Sequence, residues 1–340
     1  MPSPPAAPEP ESAATLSHPT LTYHQLLRRT DAPPGSSWHL FPDQPERGMA
    51  NFAGPEQIRQ AAHEVRDGRA FNLDYALDAF DPPMSRARGI PYHRITATHD
   101  QARDDVLEGF FLQASTQVDG LRHRRASGHG FYNAVPDHEI APRSPRLGVQ
   151  LWAETPLVGR ALLIDIDGLL RSRGTPLDHT TGPALGPDLL DTALDAQGCR
   201  VEPGDLVLVH TGWAHWYLTA DPDARAAVRG ERRATGFAQS RDFAAWCWDH
   251  RIALLATDTF AVEVLPVVPD SDFHESAPED SGMMHQELIA KLGLPMGELW
   301  NLTALTADCR ATGRWTSLLT VKPLNLTGGV GSPANATALR

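Results

Sequence analysis

The chain has 340 residues and a formal net charge of -12, from 42 acidic against 30 basic residues. It has no block of lysine or arginine, so it lacks the clustered cations that phosphate binding needs, and nucleic acid is set aside as a partner. No apolar run approaches the roughly 20 residues that span a bilayer, which sets aside the membrane as well. The opening MPSPPAAPEPESAA has no basic segment followed by an apolar core and does not read as a secretory signal. Cys199, Cys247 and Cys309 are scattered and odd in number. They suggest reduced thiols in a cytoplasmic setting, not a disulfide framework.

Residues 1–20 are rich in proline and alanine and too poor in large apolar side chains to order themselves. Pro33 to Asn51 reads as an irregular arm pinned by Trp38, Phe41 and Met49. Gly54-Pro55 opens a helix with Ile58, Ala61, Ala62 and Val65 at helical spacing and Gly68 to stop it. Phe71, Leu73, Tyr75 and Leu77 alternate as in a half-buried strand, which Pro82-Pro83 closes. Arg86 to Gln113 is polar and mixed, without a readable period.

From Ala161 the pattern is regular. Ala161 to Ile166 and Leu206 to Val209 read as buried strands, separated by a helix from Pro187 to Gln197 that Gly198 ends and by a turn at Glu202 to Asp205. A helix carrying Phe243, Ala244, Trp246 and Cys247 precedes a third buried strand, Ile252 to Ala256. Strands alternating with helices imply an α/β arrangement whose strand carboxyl ends collect functional groups. His210, Asp258 and Glu263 are placed for such a role, although polar residues just past a strand also cap the next element. Met283 to Gly293 reads as a short helix, Gly297 to Trp300 as a strand or its entry, and Ser317 to Val330 as a short strand (Leu318, Leu319, Val321) with a turn at Gly328-Gly329.

The chemistry is concentrated in Phe111 to His123. If Thr116 to Val118 is extended, Gln113, Ser115, Gln117 and Asp119 project to one face and Thr116 and Val118 to the other. The turn at Gly120-Leu121 can carry His123 over the first face. Asp119, His285 and Glu298 would together make a carboxylate, imidazole and carboxylate set of the kind that binds a divalent metal and leaves positions open for water. Arg122, Arg124 and Arg125 could meet an anionic substrate or form a solvated loop. His129, Phe131, Tyr132 and Asn133 could wall a substrate or simply pin their loop.

Several stretches carry a resemblance. They are Asp104-Asp105-Val106-Leu107, Ser115 to His123, Pro203-Gly204-Asp205 leading to Thr211-Gly212-Trp213, Ala261 to Val264, Leu292 to Glu298 and Thr327 to Pro333. In order and content the chain, from about Ser37 onward, resembles the cyclase superfamily that includes bacterial kynurenine formamidase and isatin hydrolase. The resemblance implies one swivelling β/β/α domain over residues 21–340, a homodimer or homotetramer, and a metal-dependent hydrolase of amides or lactams. It makes Asp119, His285 and Glu298 the metal ligands and His123 the proton-transferring residue. Apart from the resemblance, Tyr132, Arg122 and Trp213 are candidate substrate-binding residues, Tyr132 and the arginines near His123 for an aromatic, anionic substrate.

Characterised hydrolases of that superfamily carry His-x-Gly-Thr-His-x-Asp-x-Pro-x-His. Here Gln113 and Gln117 replace the first two histidines, Ser115 the glycine and Leu121 the proline, while Asp119 and His123 remain. A neutral amide is a poorer zinc ligand than imidazole, so one of two metal positions should be lost and the other should favour a harder ion. The expectation is one divalent ion, manganese or zinc, that lowers the pKa of its bound water and polarises a substrate carbonyl. The hydroxide attacks, His123 passes a proton to the leaving nitrogen or oxygen, and Gln113 and Gln117 orient water or substrate. Two alternatives stay open: a tailoring enzyme of the same fold performing cyclisation or dehydration, with or without metal, and a non-catalytic small-molecule binding protein.

Overall fold

The structure is a computed structural model and describes residues 19–340. The expected tail, residues 1–20, therefore lies almost wholly outside the described residues. In chain order the strands are β1 (Ala70–Asn72), β2 (Tyr92–His99), β3 (Ala102–Glu108), β4 (Gln117–Asp119), β5 (Leu157–Asp165), β6 (Ala184–Leu185) and β7 (Leu206–His210). They continue with β8 (Gly236–Phe237), β9 (Leu254–Thr257), β10 (Met296–Glu298), β11 (Thr316–Val321), β12 (Gly331–Ser332) and β13 (Ala336–Leu339).

Nine of them form one curled, half-barrel sheet in the order β1-β13-β11-β5-β7-β9-β10-β4-β12, and the molecule is the single α/β domain expected. Its centre, β5-β7-β9-β10, is parallel and both flanks are antiparallel. The reason is in the sequence: Leu-Val-Leu-Val-His in β7 and Leu-Leu-Ala-Thr in β9 are buried at every position, as parallel strands covered on both faces must be. β11 instead alternates buried and half-buried residues. The helix Asp188–Gln197 covers β5 and ends at Gly198, whose left-handed φ of 65° suits a residue without Cβ. The arm before Asn51 is pinned as expected: Trp38, Phe41 and Met49 are buried, and Phe41, Phe52 and Trp248 pack edge to face at 5.3 to 6.2 Å.

The structure corrects several readings. The helix after Gly54 stops at Ala62 with only Ala61 buried, and Ile58 within it and Val65 beyond it are exposed, so their spacing does not mark a core face. The strand expected over Phe71 to Leu77 ends at Asn72, because the Asn72 carboxamide turns the chain by bonding the backbone of Asp74. Phe71 and Leu73 are nevertheless buried, as the alternation requires. Arg86 to Gln113 contains the β2-β3 hairpin, which the sequence did not reveal since nearly all of its residues are exposed and neither face is apolar enough to alternate. Met283 to Gly293 is not a regular α-helix: Gln286–Lys291 is wound as a π segment with His285 at its head.

Candidate functional site

The site lies where β4 enters the sheet between β10 and β12. Gln117 stands directly opposite Glu298, and Asp119 stands opposite Met296 on one side and Gly331 on the other. Cross-strand neighbours share a face, so Gln117, Glu298 and Asp119 point the same way while Val118 enters the core. Gly331 is required by a close approach: a Cβ there would sit 2.8 Å from Gln113 Cδ. Gly297 is required likewise, because the Trp300 ring passes over it and its Nε1 donates to the Gln117 carbonyl at 2.9 Å.

Asp119, His285 and Glu298 offer ligand atoms within 4.8 Å of one another, all buried. His285 is aimed by Glu263, which bonds its Nδ1 and also accepts from its backbone N–H at 3.1 Å and from that of Met284 at 2.9 Å. Gln239 completes Glu263 at 2.8 Å. This leaves His285 Nε2 toward Glu298 Oε1 at 3.1 Å. The two carboxamides take the outer oxygens of the carboxylates: Gln113 Nε2 donates to Asp119 Oδ1 and Gln117 Nε2 to Glu298 Oε2. The other oxygen, Asp119 Oδ2, is fully buried and has no hydrogen-bond partner among the described residues.

The charges here are unbalanced. Burial and then the charge of Asp119 push the Glu298 carboxyl above its ordinary range. Burial alone would depress His285, but Glu263 and Glu298 raise it to about 10. Two facing carboxylates, one with an orphaned oxygen, are what a site for a cation looks like when the cation is left out of account. The donor set of two carboxylates and one imidazole fits a divalent ion.

His123 completes the cluster, with Nε2 3.9 Å from Asp119 Oδ2. The Gln113 amide must turn its NH2 toward the acceptor-only Asp119, and the same nitrogen meets His123 Nδ1 at 3.2 Å. This network assigns the imidazole proton to Nε2. Burial lowers the His123 pKa to about 4, only partly offset by Asp119, so the ring is neutral at pH 7. A cavity of about 380 Å³ opens beside His123 and is lined by Arg124, Phe131, Glu279 and Gln286, and another of about 550 Å³ opens beside Gln113, between Phe111 and Val330.

Gln113, Gln117, Asp119, His123, His285 and Glu298 are thus brought together, and Glu263 joins them through His285. Others stand apart. Arg122 is buried and donates to the carbonyls of Ser144 at 3.2 Å, Ala141 at 3.0 Å and Gly328, so its guanidinium ties loops together. Arg124 pairs with Asp280 through two 3.1 Å bonds and Arg125 with Asp137 at 3.4 Å. Tyr132 is buried, its hydroxyl 3.0 Å from Ser37 Oγ. Asn133 donates to the Pro45 carbonyl at 2.7 Å, so this loop is pinned, with Phe131 left at the cavity wall. Trp213 stacks on Tyr217 at 5.0 Å in a separate apolar cluster that includes Leu299, behind the strand that carries Glu298. Ser115 turns away to the Ala76 carbonyl.

His210 belongs to a second buried group, 3.0 Å from Asp165 and 3.9 Å from Asp258. Asp165, Asp167 and His210 also lie within 4.8 Å of one another, but Arg310 already holds Asp165 at 2.6 and 2.8 Å and Asp167 at 3.2 Å. That group is closed by its own cation. Sequence reasoning missed Arg88, whose Nη1 donates to the Gln113 carbonyl and lies 3.4 Å from Gln117 Oε1. It sits in the unpatterned stretch before the hairpin, where no period or motif marks it.

A family model described as "Putative cyclase" matches residues 16–264. A crystal structure described as that of a novel cyclase superposes with a TM-score of 0.77 at 30% identity, covering 90% of this chain and 97% of the other. Isatin hydrolase A from Labrenzia aggregata, bound to benzyl benzoate, gives 0.51 at 16% identity, with 82% and 94% covered. An isatin hydrolase bound to the product analogue thioisatinate gives 0.52 at 14%, again with 82% and 94% covered. At those identities the likeness is one of fold. No curated protein matches the sequence. Among the described residues no helix is long and apolar enough to cross a membrane, and all three cysteines are free. With a model match over most of its length and a 30% identical structure over nine tenths of it, the chain belongs to the cyclase family and has its hydrolase-like fold.

Proposed function

We propose that the chain is a hydrolase that opens an amide, lactam or related carbonyl bond in a small molecule, with one divalent ion, manganese or zinc, held by Asp119, His285 and Glu298. The observation that carries this reading is a buried Asp119 oxygen, Oδ2, without a hydrogen-bond partner among the described residues, on a carboxylate that clusters with two further ligand groups. When bound, such an ion lowers the pKa of water and polarises a carbonyl.

The protein's own groups do the rest. Glu263 holds His285 Nδ1 and so presents Nε2 inward, the usual arrangement for a ligating histidine. Gln113 and Gln117 hold the outer carboxylate oxygens, which makes them positioning residues and not substrate donors. His123 keeps its proton at Nε2 and presents a neutral N–H to the site. There it stabilises the atom that gains negative charge, the carbonyl or the leaving nitrogen or oxygen, as a neutral imidazole does best in a dry site.

A second reading has one observation in its favour. The two carboxamides already supply donors to both carboxylates, which suits a metal-free cyclisation or dehydration on the same fold. Elemental mass spectrometry of protein purified without added metal, beside Asp119→Ala, separates the two. About one equivalent of manganese or zinc in the wild type, absent from the variant, supports the hydrolase. No metal, even after manganese or zinc is offered, refutes it. We also propose a homodimer or homotetramer, supported by the hairpin residues Tyr92 and Ile95, which are 65% and 62% exposed on a two-stranded element too small to stand alone.

A further inference from the structure

The arginines beside His123 are the obvious candidates for an anionic substrate, and all three are engaged: Arg122 on backbone carbonyls, Arg124 on Asp280, Arg125 on Asp137. Arg88 is different. It is half-buried at the end of a turn, with its N–H on the Ser85 carbonyl at 3.2 Å. Its Nη1 is engaged by Gln113 and Gln117, yet among the described residues no carboxylate lies within 4.0 Å of its guanidinium, and Nε and Nη2 donate to nothing. Neither of those atoms is sealed from water. A half-buried cation without a counter-ion, in a chain of net charge -12, is unusual, because charges withdrawn from water are normally paired.

The position explains it. Gln117 bonds Arg88 at one end of its carboxamide and Glu298 at the other, so Arg88 stands one carboxamide width from the metal-type cluster. Its charge reaches both His123 and Glu298. We propose that Arg88 is the anchor for a carboxylate on the substrate, so that the enzyme acts on small carbonyl compounds that also carry a carboxylate a few bonds from the reacting carbon. Nη1 is fixed by the site, and the free edge of the fork, Nε and Nη2, is the bidentate face that matches a carboxylate. The proposal rests on the hydrolase reading only for which end of the substrate reacts. The anion preference is a binding property and is tested without turnover.

The test is calorimetric titration of the purified protein with benzoate and with its uncharged counterpart benzamide, the metal content being measured on the same samples. A charge-assisted pair of hydrogen bonds predicts about a tenfold or greater preference of wild type for benzoate. Arg88→Gln should abolish the preference, weakening benzoate at least about tenfold more than benzamide, and Arg88→Lys, which keeps the charge and loses the fork, should fall between. A wild type that binds benzoate no better than benzamide overturns the proposal, as does an Arg88→Gln protein that keeps the preference. Equal weakening of both probes also overturns it, since that is what a merely structural role of Arg88 would produce. Absence of metal with the benzoate preference intact would refute the hydrolase reading and leave the anchor standing.

Discussion

Asp119→Asn separates the two states of the site by sign. In the metal-free protein Asp119 Oδ2 is a buried anionic oxygen without a partner, and Asp119 raises the pKa of Glu298. The asparagine oxygen can still accept from Gln113, while its neutral NH2 takes the place of the orphaned anionic oxygen and removes the charge that raises Glu298. Relief of an unsatisfied buried group is worth about 1 to 3 kcal/mol. For a chain of this size the unfolding entropy is about 0.7 kcal/mol/K, so the metal-free variant should melt about 1.5 to 4 °C above the wild type. A metal present at 100 times its dissociation constant adds about 2.7 kcal/mol to the wild type, a rise of about 4 °C, and should add almost nothing to the variant. Scanning calorimetry after chelation, with and without Mn²⁺ or Zn²⁺, reads both numbers. A variant that is less stable than the wild type without metal, or that keeps the metal-induced rise, would show that the orphaned oxygen is not a ligand position.

Other perturbations bear on the surrounding structure. His210 is raised above its ordinary value: burial lowers it, but the hydrogen bond to Asp165 and the charges of Asp258, Asp165 and Asp167 prevail. Its contribution is thus complete below about pH 6.5 and is lost as pH rises through the folded value, so the stability gap between wild type and His210→Gln in urea melts should narrow from pH 6 to 9. A gap that stays constant over that interval would contradict this. Arg122→Ala strands three carbonyls and should cost about 3 kcal/mol or more of unfolding free energy in denaturant melts, whereas a near-neutral result would mean that the loops it ties do not need it. Gly331→Ala should push Gln113 off Asp119 and His123, visible as a shift in the His123 ring resonances with the fold retained; unchanged resonances would refute the close approach. Gln113→His with Gln117→His puts two imidazoles against Asp119 Oδ1 and Glu298 Oε2, four donors in all, and should raise bound zinc from about one to about two equivalents. No gain in zinc would show that the outer oxygens cannot share a second ion.

The parts of the fold that could be read from the sequence are those where burial imposes a period. β5, β7 and β9 announce themselves because a parallel strand covered on both faces is apolar at nearly every position. β2 and β3 do not, because an element with both faces in water has no reason to alternate. β13 is silent in the sequence for another reason: Ala-Thr-Ala-Leu is short, and its alanines are buried by the register with β1 and β11 and not by their own size.

In the site, local spacing was enough for what lies along β4, since Gln117 and Asp119 share a face by the period of two. It was not enough for how those side chains are used. The replacement of two histidines by glutamines suggests residues that orient water or substrate, but strand register sets Gln117 opposite Glu298, and the missing side chain of Gly331 lets Gln113 reach Asp119. Each amide then meets a carboxylate oxygen, the strongest acceptor within reach, and that contact decides its role. The same logic applies to the arginines. Arg122 stands next to His123 in sequence and is claimed by three carbonyls brought from residues 141, 144 and 328, whereas Arg88, some 30 residues from the motif, is carried to its edge by the turn after Pro83. A cation's availability depends on which acceptors the fold brings to it, and here those acceptors come from distant segments that no local pattern around Arg122 or Arg88 encodes.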